Sequence, residues 1–435
     1  MKKNNTNKII SLVVLLVILA STVAGAYLGI MGRNTQMVTV IENGQPVEKA
    51  LYRQVAFIPN PVNENWTEAI VPSAQLNGGY SYTLTLDKGD MSDAEYAKTL
   101  KEAAKVVAKR GEMVMGNASA KVVDNAIVLT VPANEYDTMI PTVVTPAGEV
   151  TFCFVDTATG ELSAPILTAD DVKDAGYFAN GATYYLQVEV TSKAIKTLNE
   201  HLGETLYVVQ DGQPIAYLTL STAMTDNFLS AAVNDWSLAF IAAVCLRAGS
   251  LPSMLTLADT AVAPATMGGV LDAVIVICGV IAVLAAVFMI IRAKAAGLMG
   301  ALTLAAETVV FWLLTALISV STGWTMTLLA LILLVISQLV FIGGLVRVME
   351  QIAAAQKHRA LAQASAAALK QNLKPLVIAF GAILALGLVL MLVFGNAVTG
   401  ILGRVLAVSG ALSFAMIFVL LRVEISCLCA LKKGN

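Results

Sequence analysis

The stretch LLVISQLVFIGGLVRVMEQ, residues 333–351, is apolar for most of its length, carries Ser337 and Gln338 at its middle and ends in charge at Arg347 and Glu350. A hydrocarbon core about 30 Å thick needs roughly 20 apolar residues to be crossed as a helix. This stretch belongs to an apolar run over 325–346 that meets the requirement, and so do the runs 9–31, 268–291, 297–320, 376–394 and 401–421. The composition agrees: of 435 residues, 57% are hydrophobic and only 13% charged, outside ordinary soluble usage. The one long segment of mixed polarity separates the first run from the second. The expected fold is a membrane protein of six transmembrane α-helices, with a large extracytoplasmic α+β domain between helices 1 and 2.

Lysine and arginine set the orientation. Lys2, Lys3 and Lys8 precede the first run, and Arg292 and Lys294 separate the second from the third. Arg347, Lys357, Arg359, Lys370 and Lys374 fall between the fourth and fifth, and Lys432 and Lys433 close the chain, whereas the loops 321–324 and 395–400 carry no charge. Both termini are therefore expected in the cytoplasm. The expected division is a cytoplasmic tail over 1–8, helix 1 over 9–31, a linker region over 32–77, the extracytoplasmic domain over 78–267, five membrane helices over 268–421 and a second tail over 422–435. The lysine-rich start and Ala24-Gly25-Ala26 also fit a cleaved secretory signal. Tyr27, Leu28, Ile30 and Met31 extend the run to spanning length and favour a retained helix. A net charge of −2, without a basic patch interleaved with aromatics, gives no sign of a nucleic-acid partner.

Within the mixed segment, GGYSYTLTL (78–86) alternates like a strand. Ser92 and Glu95 form a capping-box pattern, predicting a helix to about Arg110 before Gly111. KVVDNAIVLTV (121–131) reads as a hairpin turning at Asp124-Asn125, and EVTFCFV, TYYLQVEV and TLYVVQ as further strands. Ser192 is expected to cap a helix to about Leu202, Asp211-Gly212 a hairpin turn, and Asp235 to Ala248 a last helix. Asp170, Asp171 and Asp174 are read as opening a short helix, where negative charge is favoured. Cys153 and Cys245 are the two external cysteines of five; a bridge between them and two buried thiols are the alternatives, with strand alternation around Cys153 favouring the thiols. His201 is the one external histidine of two, placed at a helix end rather than beside a nucleophile. Nothing in the pattern points to an enzyme, a metal site or a cofactor.

Three segments carry a resemblance: LSAPILTADDVKDA (162–175), YLQVEVTSKAIKTLNEHLGETLYVVQDGQ (185–213) and CLRAGSLP (245–252). They resemble, in order, the external domain of SecD, a membrane subunit associated with bacterial protein secretion. One long external domain after the first helix, then five closely spaced helices, is also the SecD topology. The resemblance implies a bacterial cytoplasmic-membrane protein that assists translocating unfolded polypeptides on the outer face, with a SecF-like subunit, the Sec channel and the lipid bilayer as partners. The chain departs from the family at Ile215-Ala216-Tyr217 after Asp-Gly and at Val262-Ala263-Pro264 before helix two. Residues 37–77, with Trp66, match no family pattern and read as a linker lying against the domain.

An ionisable side chain inside a bilayer costs at least ~2.5–3.5 kcal/mol and is by default a functional candidate. Glu307 lies mid-run in helix three, Arg404 near the outer end of helix six, and Asp272 at the start of helix two. In helix four the resemblance places the family's terminal arginine and glutamate on Arg347 and Glu350. It places the family's mid-membrane aspartate, associated with proton movement, on Leu339 beside Gln338, and the second acidic position near Pro375. Leucine holds no proton and an amide does not titrate. Glu307, with Gln338, is thus the proton-coupling candidate, or else Glu307 is neutral and hydrogen-bonded to Ser337 and Gln338, fixing helices three and four together. Gly297, Gly300, Gly343 and Gly344 are expected at close helix contacts, and 350–374 as an amphipathic helix on the membrane surface. The alternatives to a translocase subunit are a divergent RND-like transporter of small or lipid-like molecules and a non-energised structural subunit.

Overall fold

The computed structural model describes residues 2–31, 35–42, 45–52, 69–133, 137–155, 161–180, 183–395 and 397–432. The chain begins with α1 (Lys2–Met31), the antiparallel hairpin β1 (Thr35–Glu42) and β2 (Gln45–Tyr52), and β3 (Val71–Pro72). There follow β4 (Gly79–Thr85), α2 (Asp93–Met115), β5 (Ser119–Val123), β6 (Ala126–Pro132), β7 (Val150–Phe154), β8 (Val172–Asn180) and β9 (Thr183–Val190). Next come α3 (Ser192–Asn199), β10 (Thr205–Gln210), β11 (Gln213–Thr219), β12 (Phe228–Val233), α4 (Trp236–Ala248) and β13 (Thr256–Ala263). The remainder is α5 (Val270–Ala293), α6 (Ala295–Thr322), β14 (Thr325–Met326), α7 (Leu328–Ala355), α8 (Leu361–Phe394) and α9 (Val398–Ala415). A π-helical turn at Met416–Leu420 leads from α9 into α10 (Leu421–Lys432). Two compact units result, Gly78–Ala265 and the rest of the chain.

The first unit is built on two antiparallel sheets, of order β13-β4-β6-β5 and β7-β10-β11-β12-β9-β8. Each sheet has one covered face. Leu100, Ala103 and Val107 of α2 bury against Leu84, Ile127 and Leu129 of the smaller sheet. Leu198 of α3 and Ala239 and Ala242 of α4 bury against Phe152, Leu186 and Val188 of the larger. Asp124-Asn125 and Asp211-Gly212 each take positive φ at both positions, the tight-hairpin turn that the sequence pattern predicts. Cys153 and Cys245 are buried and unpaired.

Some expected boundaries move. The Ser92–Glu95 capping box is present, but α2 runs through Gly111 to a left-handed Gly116. Gly111 serves close approach instead: a Cβ there would sit 2.9 Å from that of Ala118. The N-cap of α3 is Thr191, whose hydroxyl accepts from the Ala194 amide, and the helix stops at Asn199. The expected helix at Asp170–Asp174 is a single 3-10 turn, Ala169–Asp171, followed by β8. Asp171 does cap, whereas Asp174 lies in the strand and pairs with Arg247 at 2.9 Å. Strands β8 and β13 have no clear alternation, and β13 is exposed at nearly every position, so burial imposes no pattern on it; β12 buries every second residue although its sequence FLSAAV does not alternate in polarity.

Among its described residues the second unit holds six helices long and apolar enough to cross a membrane: Thr6–Tyr27, Val270–Ala293, Ala295–Thr322, Leu328–Ala355, Leu361–Phe394 and Val398–Lys432. Three expectations are corrected here. No surface helix covers 350–374; α7 and α8 run on to a short turn at 356–360, where Asn372 Nδ2 donates to Gln351 Oε1 at 2.6 Å and Ala364 and Ala368 are buried. Residues 422–432 are not a tail but helix, with Glu424 and Ile425 buried. Residues 69–77 pack within this unit: β3 pairs in parallel with β14, and Ala69, Ile70 and Leu76 bury with Phe311, Trp324 and Leu331. Trp66 lies outside the described residues.

Candidate functional site

Thr303, Glu307, Phe311 and Thr315 recur every fourth residue along α6 and are buried, so they share the face turned into the bundle. α7 presents Ser337, Phe341, Leu345 and Val348, and α9 presents Ser409 and Ser413, all buried. The polar members meet in three places. Gln338 Nε2 donates to Glu307 Oε1 at 3.2 Å, and the Ser337 and Ser409 hydroxyls lie 2.5 Å apart. Thr303 Oγ1 donates to Glu424 Oε2 at 2.6 Å. Glu307 Oε2, Glu424 Oε1 and Ser413 Oγ are buried without a partner among the described residues.

The expected contact of Glu307 with Gln338 is therefore present and the one with Ser337 is not. Successive residues on a helix point about 100° apart, so Ser337 turns to α9 while Gln338 turns to α6. Leu339, on which the resemblance places the family aspartate, is 39% exposed on the surface of α7, whereas Gln338 is half-buried and reaches α6. Arg347 and Glu350 are exposed and stay outside the buried set. Asp272 is exposed near the start of α5 and Arg404 half-buried on α9. A Cβ on Gly300 or Gly344 would crowd Met349 at 2.9 Å or Leu376 at 2.7 Å, and one on Gly297 would crowd the Ile290 backbone. Gly343 instead is exposed with nothing within 4 Å. Glu424 escapes the sequence reading because Arg422 and Glu424 mimic the end of a span. The apolar residues Ile425, Leu428, Ala430 and Leu431 beyond it are the signal that the helix continues.

Among the described residues of the sheet-rich unit no nucleophile is hydrogen-bonded to a histidine, lysine or carboxylate base placed to activate it. His201 Nδ1 lies 3.1 Å from Glu204 Oε1, and its ring stacks on Phe154 at 4.7 Å. A cavity of about 200 Å³ is lined by Gly148, Thr151, Thr168, Asp170, Cys245 and Ser250. Burial pushes the Cys245 thiol up from its ordinary range, the neighbouring Arg110 guanidinium pulling the other way; a thiol so held is a weak nucleophile. Among the described residues no group of three or more His, Cys, Asp or Glu is placed to hold a metal ion.

No protein-family model and no curated protein sequence matches the chain. Among solved structures it is similar to a SecDF crystal structure in a super-membrane-facing form, with TM-score 0.67 and 15% identity over 98% of this chain and 58% of that one. A SecDF structure from Thermus thermophilus, described as a translocon-associated membrane protein, aligns with TM-score 0.44 and 18% identity over 96% of this chain and 59% of that one. A structure described as a membrane component SecDF that enhances protein export aligns with TM-score 0.34 and 16% identity over 41% of this chain and 98% of that one. The super-membrane-facing structure shows the fold: the chain has the SecD-type arrangement of six membrane helices and a sheet-rich insertion, and spans about three-fifths of the SecDF length.

Proposed function

We propose that this chain is the SecD-type half of an auxiliary complex of the Sec protein translocase. In this reading it lies in a bacterial cytoplasmic membrane with both termini inside and the sheet-rich unit outside. There it assists unfolded polypeptides as they leave the Sec channel, beside a SecF-like subunit that supplies the part of the architecture this chain does not span. The observation that carries the reading is the fold likeness over 98% of the chain at TM-score 0.67. Coupling to proton movement is assigned to Glu307, a fully buried carboxyl in a membrane helix held by one hydrogen bond from Gln338. An intramembrane carboxyl without a cationic partner is stable in hydrocarbon when it carries a proton, and Glu307 Oε2 is open to receive one.

A second reading, a non-energised structural subunit, is favoured by an exposed leucine, Leu339, where the resemblance places an acid. There the Gln338–Glu307 bond merely ties α6 to α7.

The test is a gentle-detergent pull-down of the tagged chain from its own membranes, with partners identified by mass spectrometry. Recovery of a SecF-like protein or the Sec channel is expected. A clean preparation at matched yield overturns the translocase reading and puts a transporter of small or lipid-like molecules first. Glu307→Gln then separates the two energetic readings. Coupling predicts export slowed by about tenfold or more at unchanged abundance, whereas unchanged export supports the structural subunit.

A further inference from the structure

Glu424 is as deeply buried as Glu307, and its position depends on a local irregularity of the helix. Over Met416–Leu420 the helix is π-helical, the Leu421 amide bonding back to the Met416 carbonyl. A π turn accommodates one extra residue relative to an α-helix, and each residue turns a helix by about 100°. Without it, Glu424 would point about a quarter-turn or more away from Thr303. With it, Glu424 Oε2 accepts from Thr303 Oγ1 at 2.6 Å while Oε1 remains buried and unpartnered. Thr303 lies four residues before Glu307 on the same buried face of α6, and Glu307 Oε2 is likewise unpartnered. Among the described residues neither carboxyl forms an ion pair with Lys, Arg or His. The two sites thus sit one helical turn apart, Glu424 nearer the end of the bundle that carries Lys294 and Lys432.

We propose that Glu424 and Thr303 form a second proton-binding site in series with Glu307, through which a proton passes between Glu307 and the lysine-bearing end of the bundle. The proposal rests on the reading of Glu307 as a proton carrier. Inward transfer begins with Glu307 protonated and Glu424 ionised, its Oε2 accepting the Thr303 hydroxyl as observed. The Glu307 carboxyl leaves Gln338 and turns toward Thr303, one turn away. The Thr303 O–H bond breaks as its proton bonds to Glu424 Oε2, and the Glu307 O–H bond breaks as its proton bonds to Thr303 Oγ1. Thr303 ends neutral, Glu424 is protonated and Glu307 is ionised, so one proton and one unit of charge have moved. A hydroxyl is required at 303, because a methyl of the same shape neither gives nor takes a proton.

The experiment uses the complex recovered in the pull-down, or the full chain if it purifies alone, reconstituted into vesicles that enclose a pH-sensitive dye. A proton gradient is imposed with potassium and valinomycin clamping the potential. Wild type, Glu307→Gln, Glu424→Gln, Thr303→Val and Thr303→Ser are compared at matched incorporation and matched melting temperature. The expected result is influx in the wild type, at least a tenfold loss in Glu307→Gln, Glu424→Gln and Thr303→Val, and recovery in Thr303→Ser. Loss in Glu307→Gln with influx retained in Glu424→Gln and Thr303→Val overturns the second site and leaves Glu307's role intact. Equal influx in wild type and Glu307→Gln overturns the coupling reading itself. Loss in both Thr303 variants alike overturns the hydroxyl relay, since a structural role is then sufficient.

Discussion

Arg110 is fully buried within the sheet-rich unit, where a guanidinium is costly unless most of its donors are satisfied; Nε has no partner among the described residues, and the two Nη atoms carry the bonding. Nη1 donates to the carbonyls of Pro146 at 2.6 Å and Val143 at 3.3 Å, and Nη2 to those of Ala147 and Gly249, both at 2.8 Å. One side chain on α2 thereby closes two loops, and a Cβ at Gly148 would collide with it and with Cys245. Burial lowers the Arg110 pKa from its ordinary value, yet arginine stays charged at neutral pH. Arg110→Met fills the volume but strands the Val143, Pro146 and Gly249 carbonyls, Ala147 keeping the Leu251 amide at 2.7 Å, and should destabilise the unit on the order of 3 kcal/mol, read as a lower melting temperature. Arg110→Lys should recover little of it, because one ammonium cannot span a forked set of acceptors. Unchanged melting in Arg110→Met would show that water satisfies those loops. None of this is legible in the sequence, since the partners are backbone carbonyls brought together by folding. Glu307 is the opposite case: a charge inside an apolar run is visible from composition alone.

At the scale of elements, α8 and α9 pack backbone to backbone. A Cβ on Gly403 would stand 2.5 Å from both the Met391 amide and the Gly387 carbonyl oxygen, and one on Gly410 would stand 2.8 Å from the Phe380 carbonyl oxygen. Small residues permit this approach, and dispersion and weak polar contacts then hold the helices in lipid. Gly403→Leu should separate α8 from α9 and cost about 1–3 kcal/mol or more, seen as loss of monodisperse protein or a lower melting temperature in detergent. Gly343→Leu should be near neutral, within about 0.5 kcal/mol, because nothing lies within 4 Å of its added Cβ. Equal effects in the two variants would contradict the seam. Both glycines lie in apolar runs, and hydropathy does not say which helix face meets a neighbour. Residues 350–374 show the same limit: their alanines and scattered charges suit a surface helix, but Ala364 and Ala368 are buried between long helices.

At the scale of the molecule, the buried clusters of the sheet-rich unit draw, among the described residues, on positions between Tyr82 and Leu255. A fragment over 78–265 expressed alone should therefore be soluble and melt cooperatively, followed by circular dichroism; aggregation without a transition would show that it needs the membrane unit. By itself the sequence determined the six membrane spans, the large insertion after the first, the principal hairpins and one buried carboxyl. Those features follow from local signals: run length against bilayer thickness, alternation along a strand, turn residues with positive φ, and the cost of charge in hydrocarbon. Only the tertiary structure decided that 69–77 belongs with the membrane helices, that Ser337 meets Ser409, and that Glu424 meets Thr303. Each of these depends on which faces of distant segments come together. That depends on helix rotation, here reset by a single π turn, and rotation leaves no trace in hydropathy.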